Sequence, residues 1–64
     1  MNIRRAAERW GVPPVGRLKR MPDVHCGVTG KHYQLWMDEA GNEFCLSDDG
    51  KELAYIITAD GGVI

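Results

Sequence analysis

Two cysteines and two histidines are the residues of this chain with the greatest capacity for chemistry. They are Cys26, Cys45, His25 and His32. A structural zinc site needs tetrahedral cysteine or histidine ligation, usually with ligands paired two to four residues apart. Neither cysteine has a second cysteine at that spacing, and adjacent residues of a strand point to opposite faces. Because His25 and Cys26 are adjacent, they cannot easily bind one ion, and the sequence predicts neither a metal site nor a cofactor.

The same residues do not form the pattern of a nucleophilic site. A catalytic cysteine needs a histidine within hydrogen-bond reach and a third group that orients this histidine. No glycine-flanked nucleophile turn, phosphate loop or paired-carboxylate spacing accompanies Cys26 or Cys45. A disulfide between them requires neighbouring strands, and a simple meander places another strand in between. We therefore expect a protein that is not an enzyme, with no catalytic residue and two reduced thiols.

Acidic residues between positions 38 and 52 form the most pronounced charge pattern. The segment lacks the ligand spacing of a calcium-binding EF-hand loop. Carboxylates on rigid hairpins can fill a basic groove that otherwise holds a nucleic-acid backbone. Turns also favour Asp and Gly for conformational reasons alone, which accounts for part of the Asp48-Asp49-Gly50 sequence. The predicted partner-binding residues are these acidic side chains and one tryptophan that could serve as an apolar anchor: Asp38, Glu39, Glu43, Asp48, Asp49, Glu52 and Trp36.

The two halves of the chain carry opposite charge. Residues 1–24 hold six basic and two acidic side chains, whereas residues 25–64 hold two basic and seven acidic ones, for a net charge of −1. The halves could simply attract each other, or the basic half could neutralise phosphates of a nucleic acid. The alternative, nucleic-acid-binding set consists of Arg4, Arg5, Arg9, Arg17, Lys19 and Arg20.

Length and composition favour one small globular domain. The chain has 64 residues, of which 44% are hydrophobic and 27% charged, and this balance is typical of folded proteins. No apolar run approaches the roughly 18–20 residues that span a bilayer, and the N-terminus lacks the apolar segment of a signal peptide. We expect a single domain over residues 1–64, located in the cytoplasm and without a membrane partner.

The N-terminal segment has the pattern of a short helix. Apolar residues at positions 3, 6, 7 and 10 lie on one helical face, Asn2 is a suitable N-cap, and Gly11 suits the C′ position. The prolines at 13 and 14 prevent the helix from continuing. Positions 15, 18 and 21 are again apolar, which leaves open a second helix or an irregular connector.

From residue 24 the apolar period changes to two, which indicates strands at residues 24–28, 32–38, 43–47 and 52–59. Glycine-containing turns separate them, as in an antiparallel meander. The predicted fold is α+β, with a short N-terminal helix packed on a three- or four-stranded antiparallel meander sheet. The expected core is Tyr33, Leu35, Met37, Phe44, Leu46, Leu53, Tyr55 and Ile57, capped by Ile3, Ala7 and Trp10. The opposite face would carry Trp36, Cys45, Ala54 and Ile56, either as a contact site or covered by residues 12–22.

Residues 5–20 resemble the helix-turn-helix segment of small phage excisionases and repressors. Ala7, Gly11 and Val12 stand at the alanine, turn-glycine and following apolar positions that this family favours. The resemblance implies, as an alternative function, a DNA-binding regulator whose basic second helix enters the major groove.

In overall profile the chain resembles the small anti-CRISPR proteins of phages. The likeness rests on a 64-residue chain, one helix with a small antiparallel sheet, and an acidic hairpin edge across residues 38–52. It implies a monomeric inhibitor without a cofactor in the cytoplasm of a bacterial host cell. Such an inhibitor binds a host protein or ribonucleoprotein, a CRISPR-Cas effector complex, and blocks its action on DNA.

Overall fold

A computed structural model describes all 64 residues, which form one helix followed by four strands. The elements are α1 (Ile3–Arg9), β1 (Lys19–His25), β2 (His32–Met37), β3 (Glu43–Ser47) and β4 (Leu53–Ile57). Each strand pairs antiparallel with the next, in the order β1-β2-β3-β4. This arrangement confirms the predicted α+β fold with a meander sheet. With seven residues in α1, the chain has no helix of the length and hydropathy that a bilayer crossing requires.

Both ends of α1 are formed by the residues that the sequence indicated. The side chain of Asn2 accepts a hydrogen bond from the Arg5 backbone N–H at 3.1 Å and so caps the N-terminus. Gly11 follows the C-cap Trp10 with φ of +84°, a left-handed conformation that favours glycine. The chain therefore leaves the helix at the predicted place.

Residues 12–18 form an irregular connector, which decides the question that the sequence left open. β1 then begins at Lys19, five residues before the predicted first strand. The early start was hidden by a register shift between Met21 and Val24, around Pro22, which has no N–H to donate to a ladder. Because a strand follows the connector, the chain lacks the second helix that a helix-turn-helix segment requires.

β3 has the predicted bounds, and β2 and β4 are shorter than predicted. β2 ends at Met37 because the next residue, Asp38, already belongs to the turn. β4 ends at Ile57, after which the chain turns back at residues 58–62.

The hydrophobic core lies between α1 and one face of the sheet. Phe44 pairs with Trp36 on one side and with Ile56 on the other, so these three side chains share the face toward the helix. Phe44, Ile56 and the helix residue Ala7 are fully buried. Burial of a large apolar side chain stabilises a fold by about 1.5–3 kcal/mol, so this small group contributes much of the stability. The remaining members and flanking side chains are Leu46, Leu53, Ile3, Ala6, Val12 and Leu18.

The predicted core is wrong about which face of the sheet meets the helix. Ile56, expected on the opposite face, is fully buried, and Trp10, expected to cap the core, is 38% exposed. The error comes from the register between β2 and β3. The expected core placed Phe44 on one face with Leu35 and Met37, but Phe44 pairs with Trp36 and therefore shares the face of Trp36. The side chains expected in the core that lie instead on the face away from α1 are Tyr33, Leu35, Met37, Tyr55 and Ile57.

Neither outer edge of the sheet is an open template for another strand. The C-terminal residues return along β4, where Ile56 and Ile64 exchange two backbone hydrogen bonds of 3.2 and 2.8 Å. On the other side, β1 carries Pro22, a register shift and the charged Lys19. Such features protect a sheet edge against pairing with a second chain.

Candidate functional site

The meander distributes the acidic residues over two turns at opposite ends of the sheet. β3 connects the turn at residues 38–42 with the turn at residues 47–52. Its five residues, each rising about 3.4 Å, separate the two turns by roughly 15 Å. The structure therefore does not bring the acidic residues 38–52 together into the single hairpin surface that the sequence predicted.

Asp38 is the centre of the first turn. It is only 6% exposed, and its carboxylate accepts bonds from the backbone N–H groups of Val15, Ala40 and Asn42 and from the Asn42 side chain, at 2.9–3.0 Å. Burial raises the pKa of Asp38, but these hydrogen bonds favour the charged form and leave the pKa below its ordinary value. Because every bond of the carboxylate is used within the chain, Asp38 does not offer it to a partner, contrary to the sequence prediction.

Glu39 and Arg4 hold the connector against this turn. The Glu39 carboxylate accepts the backbone N–H of Arg17 at 2.6 Å. The Arg4 guanidinium donates to the carbonyls of Pro14 and Gly16, at 3.0 and 2.7 Å. Glu39 was predicted to bind a partner and Arg4 was placed in the nucleic-acid set, but both have intramolecular partners here. Together they stabilise the packing of the connector on α1 and the sheet.

The second turn keeps its backbone rigid and directs its carboxylates outward. The Asp49 carboxylate accepts the Ser47 hydroxyl at 2.7 Å and the Lys51 backbone N–H at 3.0 Å. These bonds, that from Ser47 first, lower the pKa of Asp49. The Ser47 and Glu52 backbones are joined by a 2.8 Å bond, and Gly50 takes a φ of +72°. The turn is therefore held by its own hydrogen bonds.

Asp48 and Glu52 are the unpaired carboxylates of this turn. Both residues are exposed, and neither side chain has a hydrogen-bond or ion-pair partner within the chain. The Asp48 backbone is held from the side, because the Gln34 amide donates to its carbonyl at 3.2 Å. With Asp49, they form the acidic turn, by which we mean the three carboxylates Asp48, Asp49 and Glu52 on residues 47–52.

Trp36 and Glu43 lie away from the acidic turn. Trp36 is half-buried at the border of the core, with the Arg20 guanidinium carbon 5.7 Å from its ring centroid. Its indole N–H is buried without a hydrogen-bond partner. Glu43 begins β3 at the opposite end of the sheet, on the face away from α1. The predicted anchor Trp36 therefore faces the core instead of forming one surface with the acidic turn.

Of the six basic residues in the predicted nucleic-acid-binding set, two have a side chain with a partner within the chain and four have none. Arg20 forms the single ion pair of the chain, with Asp23 at 2.7 Å, and Arg4 holds the connector. The other four are exposed and have no side-chain partner; they are Arg5, Arg9, Arg17 and Lys19. These cations lie on α1, on the connector and at the start of β1.

The cysteines and histidines do not converge on one centre. His25 and His32 face each other across the β1–β2 pair with ring centroids 4.4 Å apart. Hydrogen bonds from Thr29, its side chain first, lower the pKa of the half-buried Cys26 thiol, whereas burial raises the pKa of the Cys45 thiol. Cys26 directly follows β1 and Cys45 lies in β3, with β2 between these two strands as expected, and both thiols are free. No three His, Cys, Asp or Glu side chains form a group that could hold a metal ion.

Sequence reasoning missed the face of the sheet that lies away from α1. In the structure one cross-strand row contains Lys19, Met37, Glu43 and Ile57, and the next contains Met21, Leu35, Cys45 and Tyr55. The ring of Tyr33 packs edge-on against that of Tyr55 at 5.3 Å. Burial, with the neighbouring Cys45 and Tyr33, raises the pKa of Tyr55 to about 12.

We call this surface the open face, since no helix or further strand packs on it. A sequence signal for it exists in β4, whose five residues are all apolar, so that both faces of this strand are apolar. A sheet covered on one face only would instead alternate apolar and polar residues.

No protein-family model, curated protein or solved structure matches the chain, so the roles of these surfaces are argued from their geometry.

Proposed function

We propose that the chain is a small non-enzymatic inhibitor of the phage type that binds a host CRISPR-Cas effector complex and blocks its action on DNA. The observation that supports this is the acidic turn, in which Asp48 and Glu52 are exposed and unpaired on a rigid backbone. The class of partner follows from the resemblance of the overall profile to anti-CRISPR proteins.

The acidic turn has the properties that binding to a basic groove requires. A groove that holds a nucleic-acid backbone is lined by cations, and a cluster of carboxylates accelerates encounter with it. Because the turn is already held by bonds to Ser47 and Gln34, little conformational entropy is lost when it binds. Asp48 and Glu52 also give up no intramolecular bond on binding.

The proposal is tested by phage plating on bacteria whose CRISPR-Cas system targets the phage. Expression of the chain should restore plaque formation, and the double variant Asp48→Lys/Glu52→Lys should fail to restore it. These two side chains hold no bond of the turn, so the variant should fold, which circular dichroism verifies. The control Glu8→Lys reverses an exposed carboxylate on α1 that also has no partner in the chain, and it should protect the phage as well as the original chain.

Two outcomes would contradict the proposal. If the chain restores no plaques across host strains that represent the different CRISPR-Cas types, it is not an inhibitor of these complexes. If the double lysine variant protects the phage fully, the chain inhibits, but not through the acidic turn.

A second candidate function is nucleic-acid binding by the four exposed cations without side-chain partners, Arg5, Arg9, Arg17 and Lys19. Without a second helix, such contacts would go to phosphates and would not depend on base sequence. Affinity for duplex DNA should then fall steeply as salt rises, with a logarithmic slope of about −0.9 for each phosphate neutralised. Arg17→Glu/Lys19→Glu should abolish it, and absence of binding by the original chain at low salt would exclude this function.

A further inference from the structure

The open face is more apolar than a sheet surface that meets only water. An antiparallel sheet with one solvated face carries polar side chains there, in alternation with the core residues of the other face. Contiguous apolar patches rimmed by polar groups usually mark contact sites. The half-buried apolar side chains of the open face are Met21, Val24, Tyr33, Leu35, Met37, Tyr55 and Ile57.

One cross-strand row of the open face contains two side chains of opposite charge. Lys19 on β1 and Glu43 on β3 lie on either side of Met37, the residue with which both pair. Two strand spacings put their backbones roughly 10 Å apart. Neither has an ion-pair partner within the chain, since the single ion pair joins Arg20 and Asp23. The row therefore presents one unpaired cation and one unpaired anion at a fixed separation.

We propose that the open face binds the open face of a second copy of this chain, about a two-fold axis that runs parallel to the strands over β2. Rotation about this axis keeps each row in place and exchanges β1 with β3. Lys19 of each copy then meets Glu43 of the other copy, so a single charged row forms two equivalent ion pairs. Met37 and Leu35 lie on the axis and pack against their own counterparts.

The geometry of the sheet edges favours this mode over side-by-side pairing. The C-terminal residues pair with β4, and Pro22 with the register shift interrupts the outer edge of β1. Two sheets packed face to face, about 10 Å apart, leave these edges unchanged. The dimer also leaves the acidic turn uncovered, because the turn lies at the end of the sheet and outside the charged row. The inference is therefore independent of the proposed inhibitor function.

The area available makes the dimer weak. The face consists of strands only five to seven residues long, and three of the four strands overlap about this axis. It buries less than the roughly 800 Å² per partner of a standard interface. We expect a dissociation constant on the order of 100 µM, in place of the monomer that the resemblance implied.

Sedimentation equilibrium of the full chain, at concentrations from about 10 µM to 1 mM, tests the proposal. The apparent mass should rise from 7.1 kDa toward twice that value. Lys19→Glu or Glu43→Lys alone places like charges opposite each other and should weaken the dimer at least tenfold, whereas the double variant Lys19→Glu/Glu43→Lys should restore it. Arg5→Glu and Glu8→Lys make the same charge changes on α1, which packs on the other face of the sheet, and should leave the dimer unchanged.

Several outcomes would overturn the proposal. A chain that stays monomeric to 1 mM has no such interface. Single reversals without effect, or a double variant that stays monomeric although circular dichroism shows it folded, would exclude the pairing of Lys19 with Glu43. If Arg5→Glu weakens the dimer as much as Lys19→Glu does, the effect is one of net charge and not of a specific contact.

Discussion

The turns at residues 38–42 and 47–52 are both acidic, both contain a glycine at positive φ, and both connect neighbouring strands of one sheet. In the first, the connector lies against the turn, and the Asp38 carboxylate is buried with four hydrogen bonds. In the second, nothing covers the turn, and the Asp48 and Glu52 carboxylates have no partner in the chain. An acidic turn therefore holds its carboxylates within the fold or leaves them unpaired according to what packs on it, and not according to its residue types.

The largest expected effect of a single change is that of Asp38→Ala. It removes the acceptor of four hydrogen bonds and leaves donors of Val15, Ala40 and Asn42 without their partner. We expect the free energy of unfolding to fall by about 2–4 kcal/mol. Urea denaturation followed by tryptophan fluorescence measures the loss. The matched change Asp48→Ala in the other turn should alter it by less than about 0.5 kcal/mol, and equal losses in the two variants would contradict the distinction.

The structural role of Asp38 should also appear in the response of the fold to acid. The pKa of Asp38 is lowered in the folded chain, so its contribution is complete above the ordinary value near 3.9 and is lost as the pH falls through the lower, folded pKa. Stability should therefore fall as the pH drops below about 4. Carboxyl ¹³C shifts should give Asp38 a titration midpoint below that ordinary value, and a midpoint at or above it would show that burial dominates over the hydrogen bonds.

A smaller loss of stability is expected for a substitution of Gly16, at the place where the connector contacts the first turn. Gly16 has a φ of +71°, and a Cβ at this position would collide with the Glu39 carboxylate. Gly16→Ala should reduce the free energy of unfolding by about 1–3 kcal/mol. Gly11→Ala is the matched control, since Gly11 also has a positive φ but no atom within 4 Å of the added Cβ. Thermal unfolding should show a smaller loss of stability for Gly11→Ala than for Gly16→Ala. The reverse order would mean that the Glu39 side chain moves aside without a loss of stability.

The smallest effect on stability is expected for Asp48→Lys/Glu52→Lys. These side chains hold none of the bonds that shape the acidic turn, which depend on Ser47, Asp49 and the backbone. The free energy of unfolding should stay within about 0.5 kcal/mol of the original value. A substantial loss in urea denaturation would show that the turn has a structural role like that of the first turn.

The distance between the two turns could have been foreseen from the sequence. Consecutive turns of a meander lie at opposite ends of the strand between them, so the predicted topology already separated Asp38 and Glu39 from Asp48 and Glu52. The burial of Asp38 could not be foreseen, because it depends on Val15, which lies 23 residues earlier in the chain. Residue type and local spacing contain no information on such a contact.

The helix and three of the four strands could be located from the residue pattern alone, because their signals are local. Asn2 and Gly11 bound the helix, and glycine turns with alternating apolar residues mark β2, β3 and β4. The face of the sheet that meets α1 could not be inferred in this way, because it depends on contacts between strands. Both alternating sets of β4 are apolar, and the entirely apolar set of β2 (Tyr33, Leu35 and Met37) lies away from the helix, so alternation alone does not identify the inner face. The choice depends on the pairing of Phe44 with Trp36 and Ile56. The same choice left Lys19, Glu43 and the apolar side chains between them on the open face.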